Sequence, residues 1–396
     1  MHILFLTDNF PPEVNAPASR TFEHCREWVR LGHKVTVVTG APNFPKGELL
    51  QGYRNAWRAR ETMDGIDVVR VWTYITANEG FVKRTLDYMS FMASAIPAGL
   101  GVRDVDVIVA TSPQLFTPCA AYVVSRLKRR PYVFELRDLW PESIRAVGAM
   151  RNARILDVLE KLELFLYARS AHVVSVTEAF KRNLVARGVE AAKITVRTNG
   201  ADLSRFAPVV RDHTLARATG LEGKTIVGYV GTHGMAHALD TVLDAAERLQ
   251  ALPDAEAGHV HFMLLGDGAE KARLKALAAA KGLRNVTFLD SVPRQDVVRY
   301  WSLVDLAVIH LRRTPLFETV VPSKLFECMA MGIPVLHGVP GESAEIVRRE
   351  GCGLLFEPEN ADALAADILS LAGDVARRRD MSERGRPALR PCRAGR

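Results

Sequence analysis

Short runs rich in β-branched residues recur along the whole of this 396-residue chain, and each is followed by a stretch whose apolar positions fall at helical spacing. That rhythm leaves little choice, because strand, helix and strand in succession close as βαβ units whose parallel strands are covered by helices. In the first half strands are expected at His2 to Leu6, Lys34 to Thr39, Asp67 to Val71, Val107 to Ala110, Tyr132 to Leu136, His172 to Ser175 and Ile194 to Arg197. In the second they fall at Thr225 to Val230, His261 to Leu265, Val286 to Leu289, Leu306 to Ile309, Pro334 to Leu336 and Gly353 to Phe356. Helical patterns fill the gaps, for example Ala18 to Leu31, Asp240 to Leu252 and Ala269 to Lys281.

A chain of this length exceeds what one hydrophobic core serves, so two domains of about 200 residues are expected. Residues 206–224 are polar, carry Pro208 and Gly220 and lack a strand pattern, which predicts a first domain over 1–207, a linker over 208–224 and a second domain over 225–396. The fold class is α/β, two Rossmann-like doubly wound parallel sheets. In such sheets ligands sit outside the carboxyl ends of the strands, which predicts an active site in a cleft between the domains.

Lysine and arginine total 52 against 45 acidic residues, a net charge of +7 that suits a phosphate-bearing ligand or an anionic membrane surface. No basic run is interleaved with aromatics, so nucleic acid is not expected as a partner. Cys25, Cys119, Cys328, Cys352 and Cys392 are scattered without CxxC spacing and are read as thiols of a reducing compartment. The first residues form a strand rather than a leader, and the apolar stretch from Tyr88 to Gly101 is short and broken by Pro97. A cytoplasmic protein without a spanning helix is expected.

The densest chemistry lies in Val321-Pro322-Ser323-Lys324-Leu325-Phe326-Glu327. Backbone N–H groups at a helix start attract phosphate, and a carboxylate one turn inside can accept both hydroxyls of a ribose. Glu327 as a solvated first-turn charge is the plainer alternative. Gly228-Tyr229-Val230-Gly231-Thr232-His233-Gly234-Met235-Ala236-His237 runs from strand through glycine turn to helix, a seat for phosphate to which His233 or His237 can donate; Gly266 in Leu265-Gly266-Asp267-Gly268 repeats that arrangement. Tight packing explains such turns equally well.

Glu135-Leu136-Arg137-Asp138-Leu139-Trp140-Pro141-Glu142 sets carboxylates and a guanidinium at a strand's carboxyl end, where Arg137, Asp138 and Glu142 can orient a sugar hydroxyl, or else form a structural ion pair and a helix cap. The loop from Asp8 to Arg20 has three prolines and no glycine, which argues against a dinucleotide fingerprint; Asn15 and Arg20 stand available to a ligand, or belong to a rigid surface loop. Asp104-Val105-Asp106 has the spacing of a metal pair but precedes the strand's carboxyl end, so no catalytic metal and no cofactor is expected. The segment from Phe81 to Met92 joins a basic start to bulky apolar residues and can dock on anionic lipid, or pack on the first sheet.

Taken together, the Pro-Pro-Glu-Val-Asn-Ala-Pro-Ala loop, the Arg-Asp-Leu-Trp-Pro-Glu-Ser turn and Val-Pro-Ser-Lys-Leu-Phe-Glu resemble the retaining glycosyltransferases of family 4, over nearly the whole chain. The resemblance implies the GT-B fold of two facing Rossmann-like domains. It is nearest to enzymes of bacterial O-antigen, capsule and exopolysaccharide synthesis, several described as transferring amino sugars of the N-acetylfucosamine type. It implies further that Glu327 holds the nucleotide ribose, that Ser323 and Lys324 with Gly231 meet the diphosphate, and that Asp138 lies beside the reacting sugar, with no metal.

Where many members carry an arginine and a lysine after the glycine of the second domain's first strand, this chain has Thr232 and His237, so phosphate binding is expected to lean on Lys324, His237 and amides. Eight residues before Glu327 stands Thr319, with Glu318 one further back. The reading that follows is transfer of a sugar from a UDP donor to a lipid-linked glycan, at the inner face of the plasma membrane with peripheral membrane contact. A UDP-sugar epimerase of the same fold and a non-catalytic sugar-nucleotide-binding protein are the alternatives.

Overall fold

The computed structural model describes residues 1–13, 15–44, 47–76, 81–146, 152–293 and 295–389. The chain divides into two compact units, Met1–Thr198 and Asn199–Arg396. The expected linker is therefore corrected. Residues 208–224 belong to the second unit, because Ala216 and Leu221 are fully buried and Arg211 is tied to Asp305 at 3.1 Å. Polar composition hid two apolar anchors there, and the second unit opens at Asn199.

The first unit is built on eight strands: β1 His2–Leu6, β2 Lys34–Gly40, β3 Arg58–Met63, β4 Ile66–Val71, β5 Val107–Thr111, β6 Tyr132–Leu136, β7 His172–Ser175 and β8 Ile194–Val196. Their order is β3-β4-β2-β1-β5-β6-β7-β8, parallel throughout except for the β3/β4 hairpin at one edge. Near-continuous apolar runs such as Ile3-Leu4-Phe5-Leu6 are what a strand covered on both faces requires, and Leu4, Phe5 and Leu6 are shut from solvent. Ile3, Phe5, Phe10, Cys25, Val35, Val37, Ile66 and Val68 form one core cluster, with Phe22 and Trp28 packed on it from the Ala16–Arg30 helix. β3 was not expected from the sequence. Its residues Arg58-Ala59-Arg60-Glu61-Thr62-Met63 lack an apolar run, since only an edge strand pairing on one side can be so polar.

The second unit has six parallel strands, β9 Thr225–Val230, β10 Val260–Leu265, β11 Val286–Leu289, β12 Leu306–His310, β13 Val335–Gly338 and β14 Gly353–Leu355, in the order β11-β10-β9-β12-β13-β14. This is the doubly wound order in which the strand sequence reverses between the first and fourth strands, here β9 and β12. Loops leaving the two strands at that point diverge and open a crevice at their carboxyl ends. The Val375–Gly385 helix and a short turn over Arg386–Leu389 pack in the same unit. Residues 390–396, with Cys392, lie outside the described residues.

Candidate active site

At the switch point of the second unit three pieces meet: the turn after β9, the turn after β10, and the amino end of the Ser323–Met331 helix. Gly231 and Gly266 sit at φ +145° and +148°, which L side chains rarely adopt. A Cβ at Gly266 would lie 1.9 Å from Gly231 O, and one at Gly231 would lie 2.8 Å from Lys324 Nζ. The glycines are there because the two turns touch each other and the lysine. Lys271 locks the arrangement from below, donating to Gly266 O at 2.6 Å, Leu289 O at 3.0 Å and Asp290 at 2.6 Å.

Around these turns lies a set of polar atoms shut from water and unpaired among the described residues: Lys324 Nζ, both ring nitrogens of His233, and His237 Nδ1. Buried polar groups are nearly always bonded, and each left unpaired costs about 1–3 kcal/mol. Burial pushes the Lys324 ammonium down to about 8, against the attraction of Cys328 and Glu327. His233 is fully buried and its pKa is pushed down to about 4, by burial first and then by the charges of Lys271 and Lys324. His237 is lowered to about 3 by burial and Lys324. Both imidazoles are therefore neutral near pH 7, each with one N–H to give. One cation, two neutral donors and the amides of Ser323 and Lys324, which have no acceptor a turn earlier in their helix, form a cradle for an anion.

Gly231, Thr232, His233, His237, Gly266, Ser323 and Lys324, named from the sequence as candidates for a donor site, lie together here. Glu327 lies one turn along the same helix, where Trp301 Nε1 donates to its Oε2 at 3.3 Å and its charge favours the cation of Arg205. The lone carboxylate expected there has neighbours that orient it. Trp301, Arg205 and Tyr229, whose hydroxyl donates to Thr232 O at 2.7 Å, were missed by sequence reasoning. Trp301 and Arg205 are far from the motif in sequence, and Tyr229, although inside the Gly228 to His237 stretch, reads there as an ordinary strand residue.

In the first unit, Ser112 Oγ after β5 accepts from the backbone N–H of Arg137 at 2.8 Å and of Asp138 at 3.2 Å, fixing the turn after β6. Asp138 is half-buried and its carboxyl is raised, chiefly by burial and further by Glu142, against hydrogen bonds from Ser143 and Leu139. Arg137 donates to Pro17 O at 3.2 Å and is lowered to about 10 by burial. Glu142 begins the short Glu142–Ala146 helix beside them.

Two expectations are corrected here. Asn15 does not stand available: its Oδ1 caps the Ala16–Arg30 helix by accepting from Ala18 N at 2.8 Å while its Nδ2 donates to Asn9. Arg20 is buried and donates to Glu135 Oε1 at 3.3 Å. The proline loop is likewise pinned, with Glu13 accepting from the backbone N–H groups of Asn43 and Phe44. Asp104 and Asp106 precede β5, and Asp106 accepts from the backbone N–H of His2 at 2.7 Å. Among the described residues no group of three or more His, Cys, Asp or Glu is placed to hold a metal ion.

Two units built on parallel sheets, one with unpaired buried polar groups at its switch point, define a doubly wound class of α/β protein. Comparison with known proteins narrows it. The family described as Glycosyl transferase 4-like domain matches residues 15–200, and that described as Glycosyl transferases group 1 matches residues 213–387. The chain is 25% identical over 383 residues to WcaI of Escherichia coli (strain K12), described as a colanic acid biosynthesis glycosyl transferase, covering 93% of this chain and 91% of that one. It is 26% identical over 373 residues to a GDP-mannose-dependent alpha-mannosyltransferase of Mycobacterium tuberculosis, covering 92% and 87%. Among solved structures, HepE of Anabaena in complex with UDP and glucose superposes with a TM-score of 0.72 at 18% identity, covering 98% of this chain and 94% of that one. The chain belongs to the glycosyltransferases, matched by these two family models over nearly its whole length, and it has the GT-B fold.

Proposed function

We propose that this protein is a retaining, metal-independent glycosyltransferase that moves a hexosyl or N-acetylaminosugar group from UDP to a lipid-linked glycan in surface polysaccharide synthesis. The observation that carries the reading is the unpaired Lys324 ammonium beside the neutral His233 and the glycine turns, a set of donors suited to an anion. As the bond from sugar to diphosphate breaks, negative charge grows on the departing oxygen. Lys324 and the amides at the start of its helix stabilise that charge more in the transition state than in the bound donor, which is where rate is gained. Glu327, oriented by the Trp301 indole, accepts the ribose hydroxyls. On the first unit Asp138 and Glu142 serve the acceptor hydroxyl, with Arg137 ordering their turn.

UDP is favoured by the fold's likeness to HepE, solved with UDP, while the mycobacterial relative's name makes GDP-mannose the donor to compare. A lipid-linked acceptor is supported by an exposed apolar patch on the first unit. The β3/β4 register pairs Arg58 with Val71, so Trp57 and Trp72 adjoin the same end of the hairpin, which two hydrogen bonds between Asn55 and Thr73 close. Tyr74 N donates to Ser90 Oγ, bringing the exposed Leu86 and Met89 of the Phe81–Leu100 helix alongside. Among the described residues no helix is long and apolar enough to cross a membrane.

The test is sugar transfer measured with UDP- and GDP-sugars, in chelator, with and without a lipid-linked oligosaccharide acceptor. Expected are product of unchanged anomeric configuration by NMR, from UDP donors and only with acceptor, and loss of about a hundredfold or more in Glu327→Ala and Lys324→Met. An epimer formed without acceptor, or full activity in both variants, overturns the reading.

A further inference from the structure

Lys271 and Lys324 are both drawn into the second unit, yet they are held differently. Lys271 spends its three N–H groups on Gly266 O, Leu289 O and Asp290, and is finished as a structural clamp. Lys324 Nζ has no hydrogen-bond partner among the described residues; what faces it instead is an aromatic ring, with Nζ 3.8 Å from the ring centroid of Tyr229. A carboxylate in that place would neutralise the ammonium and would have to be displaced by any incoming anion. A ring face attracts the cation through its quadrupole while leaving all three donors unused.

The ring is itself fixed. Tyr229 is 1% exposed, its hydroxyl donates to Thr232 O at 2.7 Å, and the rings of His233 and His237 flank it at 5.8 and 5.9 Å. The absence of a side chain at Gly231 is what lets the ammonium reach this face, since a Cβ there would stand 2.8 Å from Nζ and 3.7 Å from the Tyr229 hydroxyl.

We propose that Tyr229 is a positioning residue for the donor's diphosphate: its ring holds the Lys324 ammonium over the Gly231 turn, dry and without a competing acceptor, so that the cation is in place before the anion arrives. This rests on the reading of the cradle as the diphosphate site and adds to it the group that organises the cradle. The arrangement carries a cost that the ligand offsets. An ammonium kept from water is harder to charge, so in the free protein Lys324 titrates near 8 rather than at 10.5, with Glu327 and Cys328 favouring the charge and His233 and His237, both neutral, near it. A bound diphosphate stabilises the charged form. Affinity is therefore greatest below pH 8 and falls by about tenfold per unit above it, as binding must take up a proton.

The experiment is calorimetric titration of the full chain with UDP, pyrophosphate and uridine between pH 6.5 and 9.5, for the parent, Tyr229→Phe, Tyr229→Leu, Lys324→Met and the Tyr229→Leu, Lys324→Met double variant. Tyr229→Phe keeps the ring and is expected to keep most of the affinity. Tyr229→Leu is expected to weaken UDP and pyrophosphate by about tenfold, to leave uridine unchanged, and to show no further loss on top of Lys324→Met. If Lys324→Met binds UDP as the parent does, the diphosphate reading itself falls. If Lys324→Met weakens UDP but Tyr229→Leu does not, or weakens it equally in both backgrounds, the diphosphate reading stands and the role of Tyr229 falls. A measurement on the parent guards against a variant that does not fold: the Lys324 side-chain methylenes are expected upfield in NMR through the ring current, and ordinary shifts overturn the proposal.

Discussion

Arg20 shows how a residue of the right type in the right loop can still be structural. It lies 115 residues from Glu135 in sequence and donates to that buried carboxylate at 3.3 Å, with His24 Nδ1 3.4 Å from the same oxygen. Burial alone would raise Glu135; Arg20 foremost, then His24, overcomes it and holds the carboxyl well below its ordinary range. Arg20→Met is therefore expected to cost about 3–5 kcal/mol in urea unfolding at pH 7, because it leaves the carboxylate buried without its main partner. A depressed folded-state pKa means stability that is present in full above the unfolded value, 4.5, and lost as pH falls below it. The variant should lose that acid sensitivity or reverse it, and a cost under about 1 kcal/mol would show the pair to be incidental. The strand Tyr132–Leu136 was legible in the sequence as an apolar run, but Arg20 was not, since nothing local records a partner so distant.

At the scale of elements the parallel strands were legible because burial on both faces writes an unbroken apolar run, and β9, with Thr225–Val230, falls where that run predicted it. The polar edge strand β3 and the apolar anchors of residues 208–224 were not, because in each the pattern is set by what packs against the segment rather than by the segment itself. The turns after β9 and β10 lie between these cases: sequence marks their glycines, while only the structure tells which glycine a neighbour compels. Gly282→Ala, at φ +62° with open space around it, is expected to cost about 1 kcal/mol from backbone strain alone. Gly266→Ala meets Gly231 O at 1.9 Å as well, and is expected to cost about 2–4 kcal/mol and to weaken UDP binding with it. Equal melting shifts for the two variants would mean that the turns after β9 and β10 do not depend on their close approach.

For the molecule as a whole, the proposed lipid-linked acceptor raises the question of how an enzyme without a described spanning helix would reach it. Aromatic rings with an apolar body and a polar edge favour the boundary of a bilayer, and Trp57, Trp72 and Tyr74 are 69%, 37% and 42% exposed at one end of the first unit. Exposed Leu86 and Met89 extend that surface, and the exposed Arg54 and Lys83 border it in sequence. With a net charge of +7, attraction to an anionic leaflet adds to the apolar term, and each is too weak alone for lasting attachment. Binding is therefore expected to need both. The parent should float with phosphatidylglycerol vesicles, hardly with phosphatidylcholine ones, and should be released by salt. Replacing Trp57 and Trp72 by serine is expected to weaken flotation by about tenfold while leaving transfer to a detergent-dispersed acceptor near the parent's, since neither tryptophan belongs to the donor cradle. Unchanged flotation in that variant would move the membrane contact elsewhere, and loss of transfer in detergent as well would place the two tryptophans in the acceptor site instead.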